Sequence, residues 1–591
     1  MSEIIKGGQF LVEDGRVEET FIPEEFTEEH KLIAKTASDF MEKEVLPYDN
    51  EIEKKNLDLL KKLLKKSAEY GFTGAEISEK YGGMGIDKRT SMILAEKFSI
   101  QSSFAITWGV QIGIGSLPIV YFGNEEQKKK YLPKIAKAEL IGAYALTEPC
   151  CGSDAMNIKT KAVLDGDYWI INGQKIFITN GGIADFYIVF ARAYINGEDK
   201  GITAFIVERD REGFSIGNEY HKMGMVGSST VPLFFDNVKV PKENQLYEIG
   251  KGHRIAFGIL NIGRYKLGAS TIGSSKYILS LGVKYSKERT AFGKSISEFE
   301  LIREKFAKIV SYIYVGESAS YRIAGYMDKF IPSDIEPSQA IERIGEYAIE
   351  HSIIKVFGSE VLDFTVDEIL QTYGGYGYIE DYPAARAYRD SRINRIWEGT
   401  NEINRQVITG MLLRKALKGE LPLIPIALKF ANEVISYIPE MPNYGFLSRE
   451  KFAIDIFKKV FLMVSALAVQ KYGENIRDAQ IVSSSIADIV SHIFLAESGY
   501  LRALKLLNMG DEKRANECAK LVEFYIYHAI RDIEDKAIKV LSSLYSGDEQ
   551  RMYISTLRKL LRWYEFPNYS QIVNDIAVKV IENNGYYLSA I

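Results

Sequence analysis

Tyr144-Ala145-Leu146-Thr147-Glu148-Pro149-Cys150-Cys151-Gly152-Ser153-Asp154 marks the point where the chain changes rhythm. Upstream, from Pro23 to about residue 140, the pattern is helical. Glu25, Glu28 and Glu29 open a helix, with acidic groups at the positive end of its dipole. Leu32, Ile33, Thr36, Phe40 and Val45 follow at near-helical spacing. Downstream, short β-rich runs appear: Tyr168-Trp169-Ile170-Ile171, Phe186-Tyr187-Ile188-Val189-Phe190 and Thr203-Ala204-Phe205-Ile206-Val207. Asp165-Gly166, Asn172-Gly173, Gly181-Gly182 and Asn196-Gly197 read as the turns between them. The stretch 144–154 is therefore a polar loop between a helical block and a β domain, either barrel or sandwich. It could be a polar turn with an Asp or Ser helix cap, or a loop whose backbone N–H groups and hydroxyls bind a polar cofactor edge and phosphates.

Long helical patterns return at about residue 251 and run to about 417. Pro-rich junctions follow at Leu421-Pro422-Leu423-Ile424-Pro425 and Pro439-Glu440-Met441-Pro442. A last helical block includes the amphipathic set Ile486, Ile489, Val490, Ile493, Phe494, Leu501 and Leu504. The expected organisation is a tail over 1–22, a helical domain over 23–141, a β domain over 142–250, a helical domain over 251–417 and a helical extension over 418–591. This is a modular α+β chain without βαβ alternation, which disfavours a nicotinamide-binding Rossmann fold. No GxGxxG occurs. Gly293-Lys294-Ser295 resembles the end of a phosphate-binding loop, but Glu288 stands where that motif needs glycine.

The 591 residues exceed what one core can organise and suggest roughly three to four domains. Hydrophobic residues make up 46% and charged residues 26%, with a net charge of −5, so no basic surplus points to nucleic acid. Three cysteines, Cys150, Cys151 and Cys518, offer no disulfide framework or zinc spacing, and the six histidines are scattered, so no metal is expected. The start, Met1-Ser2-Glu3-Ile4-Ile5-Lys6, lacks the order of a signal peptide. The longest apolar run, near residues 460–469, is about half of the ~20 residues a membrane span needs. These features predict a cytoplasmic protein in a reducing compartment.

Further motifs are Lys175-Ile176-Phe177-Ile178-Thr179-Asn180-Gly181-Gly182, Lys222-Met223-Gly224, Arg289-Thr290-Ala291-Phe292-Gly293-Lys294, Gln371-Thr372-Tyr373-Gly374-Gly375 and Trp397-Glu398-Gly399-Thr400. Taken alone, Glu398 could be a surface carboxylate at a helix start. In order and spacing, with T-E-P-x-x-G-S-D, these motifs resemble the acyl-CoA dehydrogenase family across about residues 25–415. The extension beyond residue 420, and Ile259-Leu260-Asn261-Ile262-Gly263-Arg264, look like its very-long-chain branch and bacterial long-chain relatives.

The resemblance implies FAD, bound by Tyr144, Leu146, Thr147, Gly152 and Ser153, with Phe177, Ile178 and Thr179 beside the flavin. Phe177 stands where members often carry Trp. It implies that Arg289, Phe292, Gln371, Gly374 and Gly375 reach a neighbouring subunit's FAD, hence a homo-oligomer, with a dimer favoured, and that Thr400 and Glu402 add cofactor contacts. Ser153, Asn261, Arg264 and Gly399 would meet substrate, although Arg264 could equally be structural. Glu398 matches the catalytic base. Some branches place the base beside Arg264, but Gly263 cannot act there.

The implied reaction is α,β-dehydrogenation of acyl-CoA, medium to long chain, to trans-2-enoyl-CoA in fatty-acid β-oxidation, with electrons passed to an electron-transfer flavoprotein. Burial of a carboxylate suits general-base work, and a backbone N–H can act as an oxyanion donor. Two alternatives stay open: an oxidase of the same fold, and a non-catalytic flavoprotein scaffold. Cys150 and Cys151 read as small filler near the cofactor, with a reactive thiol as the other option. The extension reads as a packing domain, with peripheral membrane contact through residues 451–471 as the alternative.

Overall fold

The computed structural model describes residues 4–332, 335–441 and 445–591. Met1 to Glu3 and Pro442 lie outside these. The chain forms two compact units. One comprises Glu28–Lys266 with Ile331–Gly345, and the other comprises Met1–Thr27, Leu267–Phe330 and Glu346–Ile591.

The first unit begins with helices. The helix Glu28–Phe40 buries His30, Ala34, Ala37 and Phe40, whereas Leu32 is 64% exposed. The expected face containing Leu32 is thus rotated. The alanines allow close packing, and the stripe continues through Phe40 and Met41 into an aromatic core with Phe72, Phe98, Phe104 and Trp108. The segment Ser102–Phe122 is long and apolar enough to cross a membrane, but 72% of its apolar window is buried inside the fold.

The β domain is one eight-stranded sheet. Its strands are β1 (Gly142–Ala145), β2 (Lys161–Asp165), β3 (Tyr168–Thr179), β4 (Phe186–Ile195), β5 (Glu198–Glu208), β6 (Phe214–Ile216), β7 (Thr230–Pro241) and β8 (Gln245–Leu246). The order is β6-β7-β3-β2-β4-β5-β8, and β1 pairs with β4. The β1–β4 and β2–β4 pairings are parallel, so the sheet is mixed. Asn196-Gly197, both at positive φ, turns β4 into β5 as the sequence suggests. Asn172-Gly173 does not turn the chain. It is a bulge inside β3, where Gly173 at φ +146° has no room for a Cβ, which would meet Thr160 Oγ1 at 2.6 Å.

The second unit is helical. Glu300–Phe330, Ala348–Tyr373 and Asn401–Leu417 pack with the extension helices Ser448–Tyr472, Gln480–Asn508, Glu512–Leu544 and Tyr569–Glu582. Gln480–Asn508 is also apolar enough to span a membrane, with 72% of its window buried. Both of these segments lie outside residues 460–469 and are mostly buried in the fold. In Ser448–Tyr472, Lys451 and Lys458 are buried rather than forming an open basic face. They pair with Asp14, Asp455 and Glu497 at 2.5–3.0 Å.

The N-terminal segment is stitched to this unit by buried charge. Arg502 pairs with Glu24 at 2.7 Å and Glu317 at 2.5 Å, and Arg322 pairs with Glu497 at 2.8 Å. Glu350 accepts the Gly8 N–H at 2.7 Å, while its other oxygen has no hydrogen-bond partner among the described residues. Burial raises the Glu350 carboxyl to about 7.

A carboxyl whose folded value lies above its unfolded one stabilises fully below the unfolded value. That stability is lost as pH climbs through the folded value. Glu350→Gln should therefore match the parent near pH 4.5 and gain apparent stability, up to about 3 kcal/mol, above pH 7. Thermal unfolding of both proteins at pH 5 and pH 8 checks this. A difference independent of pH would contradict it.

Candidate active site

The site residues expected from the sequence fall into four groups. In the first unit, the loop from Leu146 to Ser153 is anchored on β3. Ile176 N–H donates to Thr147 O at 2.9 Å, and Lys175 Nζ donates to Leu146 O at 3.1 Å. This brings Tyr144, Leu146, Thr147, Gly152 and Ser153 to the strand end carrying Phe177, Ile178 and Thr179. Glu148 fixes the loop from inside, accepting from Lys175 Nζ at 2.7 Å and from the N–H groups of Lys159 and Thr160 at 2.5 and 3.0 Å. Burial opposes ionisation of Glu148, but these donors outweigh it and hold the carboxyl below its usual range. Complete burial draws Lys175 down to about 8, against the pull of Glu148. Gly152 and Ser153 are exposed, as a loop that receives a ligand requires.

Phe177 adopts φ +59° at an irregularity in β3 and is 60% exposed, its ring 5.2 Å from that of Tyr220. A large apolar residue held in a left-handed conformation and left uncovered is a costly arrangement, of the kind that clusters at binding sites. Also in this unit, buried Arg264 donates to Asn261 Oδ1 at 2.8 Å, placing these two candidates side by side one helical turn apart.

In the second unit, Glu398 and Gly399 occupy consecutive left-handed positions, φ +56° and +80°. Glycine accepts this freely, but glutamate does not, so surrounding bonds must enforce it. Lys355, fully buried, donates to Gly399 O at 2.8 Å and Asn401 Oδ1 at 2.7 Å. Asn404 Nδ2 donates to Glu398 O at 3.3 Å, Gly399 O at 2.8 Å and Thr400 O at 3.1 Å. Thr400 caps the helix Asn401–Leu417, accepting the Ile403 N–H at 3.2 Å. Glu398 therefore stands just before a helix N-terminus, whose dipole favours negative charge nearby. Sequence reasoning missed Lys355 and Asn404. The available signal was a single lysine inside Ile353-Ile354-Lys355-Val356-Phe357, where a buried cation needs acceptors.

The fourth group lines an open cavity of about 450 Å³ with Tyr285, Arg289, Thr372, Tyr373, Gly374 and Gly375 among its walls. Gly374 takes φ +60°, and both glycines face open space, so a ligand can approach their backbone. The exposed Arg289 guanidinium stacks on Tyr376 at 5.8 Å. A cation beside accessible peptide groups suits a phosphate-bearing ligand. Gln371 and Phe292 are not among the lining residues, and Phe292 stands almost wholly in solvent.

Profiles of the acyl-CoA dehydrogenase N-terminal, middle and C-terminal domains match residues 27–139, 143–238 and 250–413, and a further acyl-CoA dehydrogenase C-terminal domain matches 456–559. The chain belongs to the acyl-CoA dehydrogenase family. A "Probable acyl-CoA dehydrogenase" of Bacillus subtilis is 46% identical over 568 residues, 95% of each chain. The human mitochondrial very long-chain specific acyl-CoA dehydrogenase is 39% identical over 345 residues, 57% of this chain and 51% of its own. A crystal structure of a Bacillus anthracis acyl-CoA dehydrogenase complexed with FAD superposes with a TM-score of 0.95 at 46% identity. The match covers 98% of this chain and all of that one.

If Lys355 and Asn404 jointly hold the Gly399 carbonyl, Lys355→Met and Asn404→Ala should each destabilise by about 1–3 kcal/mol. Their double variant should then fall short of additivity by at least ~0.5 kcal/mol. Denaturant unfolding of the four proteins measures the coupling, and strict additivity would contradict a shared restraint.

Proposed function

We propose that the chain oxidises acyl-CoA thioesters to trans-2-enoyl-CoA with FAD, and that Glu398 removes the α-proton. The observation that carries this reading is a glutamate whose backbone is held in a left-handed turn at a helix head. There a base and an electrostatic stabiliser for developing negative charge coincide. FAD, when bound, supplies an acceptor for the β-hydrogen and its electron pair. Tyr144, Leu146, Thr147, Gly152 and Ser153, with Phe177, Ile178 and Thr179, would hold its flavin end. Arg289, Phe292, Gln371, Gly374 and Gly375 would serve the cofactor of a second copy in a homodimer, with Thr400 and Glu402 completing the contacts.

On the substrate side, Ser153, Asn261, Arg264 and Gly399 orient the thioester. The Glu398 N–H donates to the thioester oxygen, where charge accumulates as the α-carbon loses its proton to the Glu398 carboxylate. The Lys355 and Asn404 bonds hold the Glu398 and Gly399 carbonyls, so little backbone reorganisation accompanies proton transfer. The electrons then leave to an electron-transfer flavoprotein. Medium to long acyl chains, β-oxidation and a cytoplasmic site complete the reading; the chain length is supported by the 39% identity to a very long-chain specific enzyme over 57% of this chain. The domain boundaries near residues 22, 141, 250 and 417 are proposed on the same footing.

Glu398→Gln keeps shape and hydrogen bonding but removes the basic lone pair. Acyl-CoA should still perturb the flavin spectrum on binding, while anaerobic bleaching in a stopped-flow instrument slows ~10²–10⁴-fold. Bleaching at the parental rate would place the base elsewhere.

A further inference from the structure

Within the loop that begins at Leu146, two thiols stand side by side. Cys150 Sγ and Cys151 Sγ are 3.0 Å apart, Cys150 exposed and Cys151 buried. The backbone beneath them is already closed. Glu148 N–H donates to Cys151 O, and Cys151 N–H donates to Glu148 O, both at 3.1 Å. The thiols are therefore presented together by a preformed turn, and a ligand that needs both pays little ordering entropy.

The chemistry of the neighbourhood narrows what that ligand is. Glu148, with Cys150 and Cys151, places three ligand atoms within 4.8 Å of one another, a spacing that could suit a cation. Both carboxylate oxygens of Glu148 are, however, already committed to Lys175, Lys159 and Thr160. Divalent metals also need preformed thiolates, whereas burial and the adjacent Cys150 push the Cys151 thiol up to about 12. A direct disulfide is poorly matched too. Consecutive Cα atoms lie about 3.8 Å apart, while disulfides favour about 5.5–6 Å. A bridging atom between the sulfurs relieves that mismatch.

We propose that Cys150 and Cys151 form a vicinal dithiol site that captures trivalent arsenic species carrying exchangeable oxygen, such as an aryl arsine oxide. In the capture step two As–S bonds form, while two S–H bonds and the As=O bond break. Both protons leave on the oxygen as one water, and no electrons change hands. The thiols need not ionise beforehand, because their protons depart with the oxygen. Chelation by two sulfurs at high effective concentration makes the adduct resist single thiols. The bridge would stiffen the turn between Thr147 and Ser153. Its effect on flavin rests on the reading of that loop under Proposed function, while the capture itself does not.

The test uses the FAD-loaded full chain and phenylarsine oxide, followed by intact mass and by flavin absorbance. One arsenical per chain is expected, retained against excess monothiol, removed by dimercaptopropanol and absent in Cys150→Ala, whose exposed position spares the core. The flavin spectrum should shift with the same stoichiometric end point. An adduct that persists in Cys150→Ala, or one that a monothiol strips as readily as a dithiol, would overturn the site. Capture that leaves the flavin spectrum unchanged would support the dithiol and count against placing this loop on the flavin.

Discussion

The bond from Lys355 to the Gly399 carbonyl is the constraint on which the turn at Glu398, and with it the proposed site, depends. Glu398 has no intrinsic reason to sit at φ +56°, and a glutamate in that conformation relaxes unless its neighbours are tied down. A buried ammonium costs free energy unless its hydrogens find acceptors, and here the acceptors are Gly399 O and Asn401 Oδ1. The requirement runs both ways: the lysine needs the turn, and the turn needs the lysine. Asn404 adds three further contacts, to the Glu398, Gly399 and Thr400 carbonyls, so the strained segment is held from two sides. Precision at Glu398 is thus a property of a helix buried behind it, and the loop's own residues could not supply it.

The same device recurs elsewhere. Glu148 is fixed by Lys175 and two backbone N–H groups, which positions the loop around Thr147 without using any residue that faces a ligand. Arg502, Glu24 and Glu317, with Arg322, Glu497 and Lys458, tie the N-terminal segment to the extension through buried charge. Breaking one member of such a set strands its partners, at roughly 3–5 kcal/mol, so the sets fix arrangement more than they add net stability.

Much of this was legible in the sequence. The switch from helical to strand periodicity near Tyr144, and the return to helix after residue 250, mark the block order. The Thr-Glu-Pro and Trp-Glu-Gly-Thr motifs point to chemistry only through their resemblance to the family; alone, Glu398 reads as a surface carboxylate at a helix start. Pattern reading failed where tertiary contact decides the outcome. Leu32 fits a helical stripe, yet the alanines beside it make the closer packing. Asn172-Gly173 reads as a turn, but the approach of Thr160 makes it a bulge. The pairing of Glu24 with Arg502 joins residues 478 apart and leaves no local trace. Lys355 was visible only as an oddity in an apolar run.

The central claim is that this chain couples loss of an α-proton to reduction of its flavin. It is tested most directly by anaerobic single-turnover mixing of the FAD-loaded protein with straight-chain acyl-CoAs of several lengths, each also prepared with deuterium at the α-carbon. The account predicts that at least one chain length bleaches the flavin and that α-deuteration slows the bleaching by a primary isotope effect. No bleaching with any acyl-CoA, or bleaching indifferent to α-deuterium at a demonstrably rate-limiting chemical step, would contradict it.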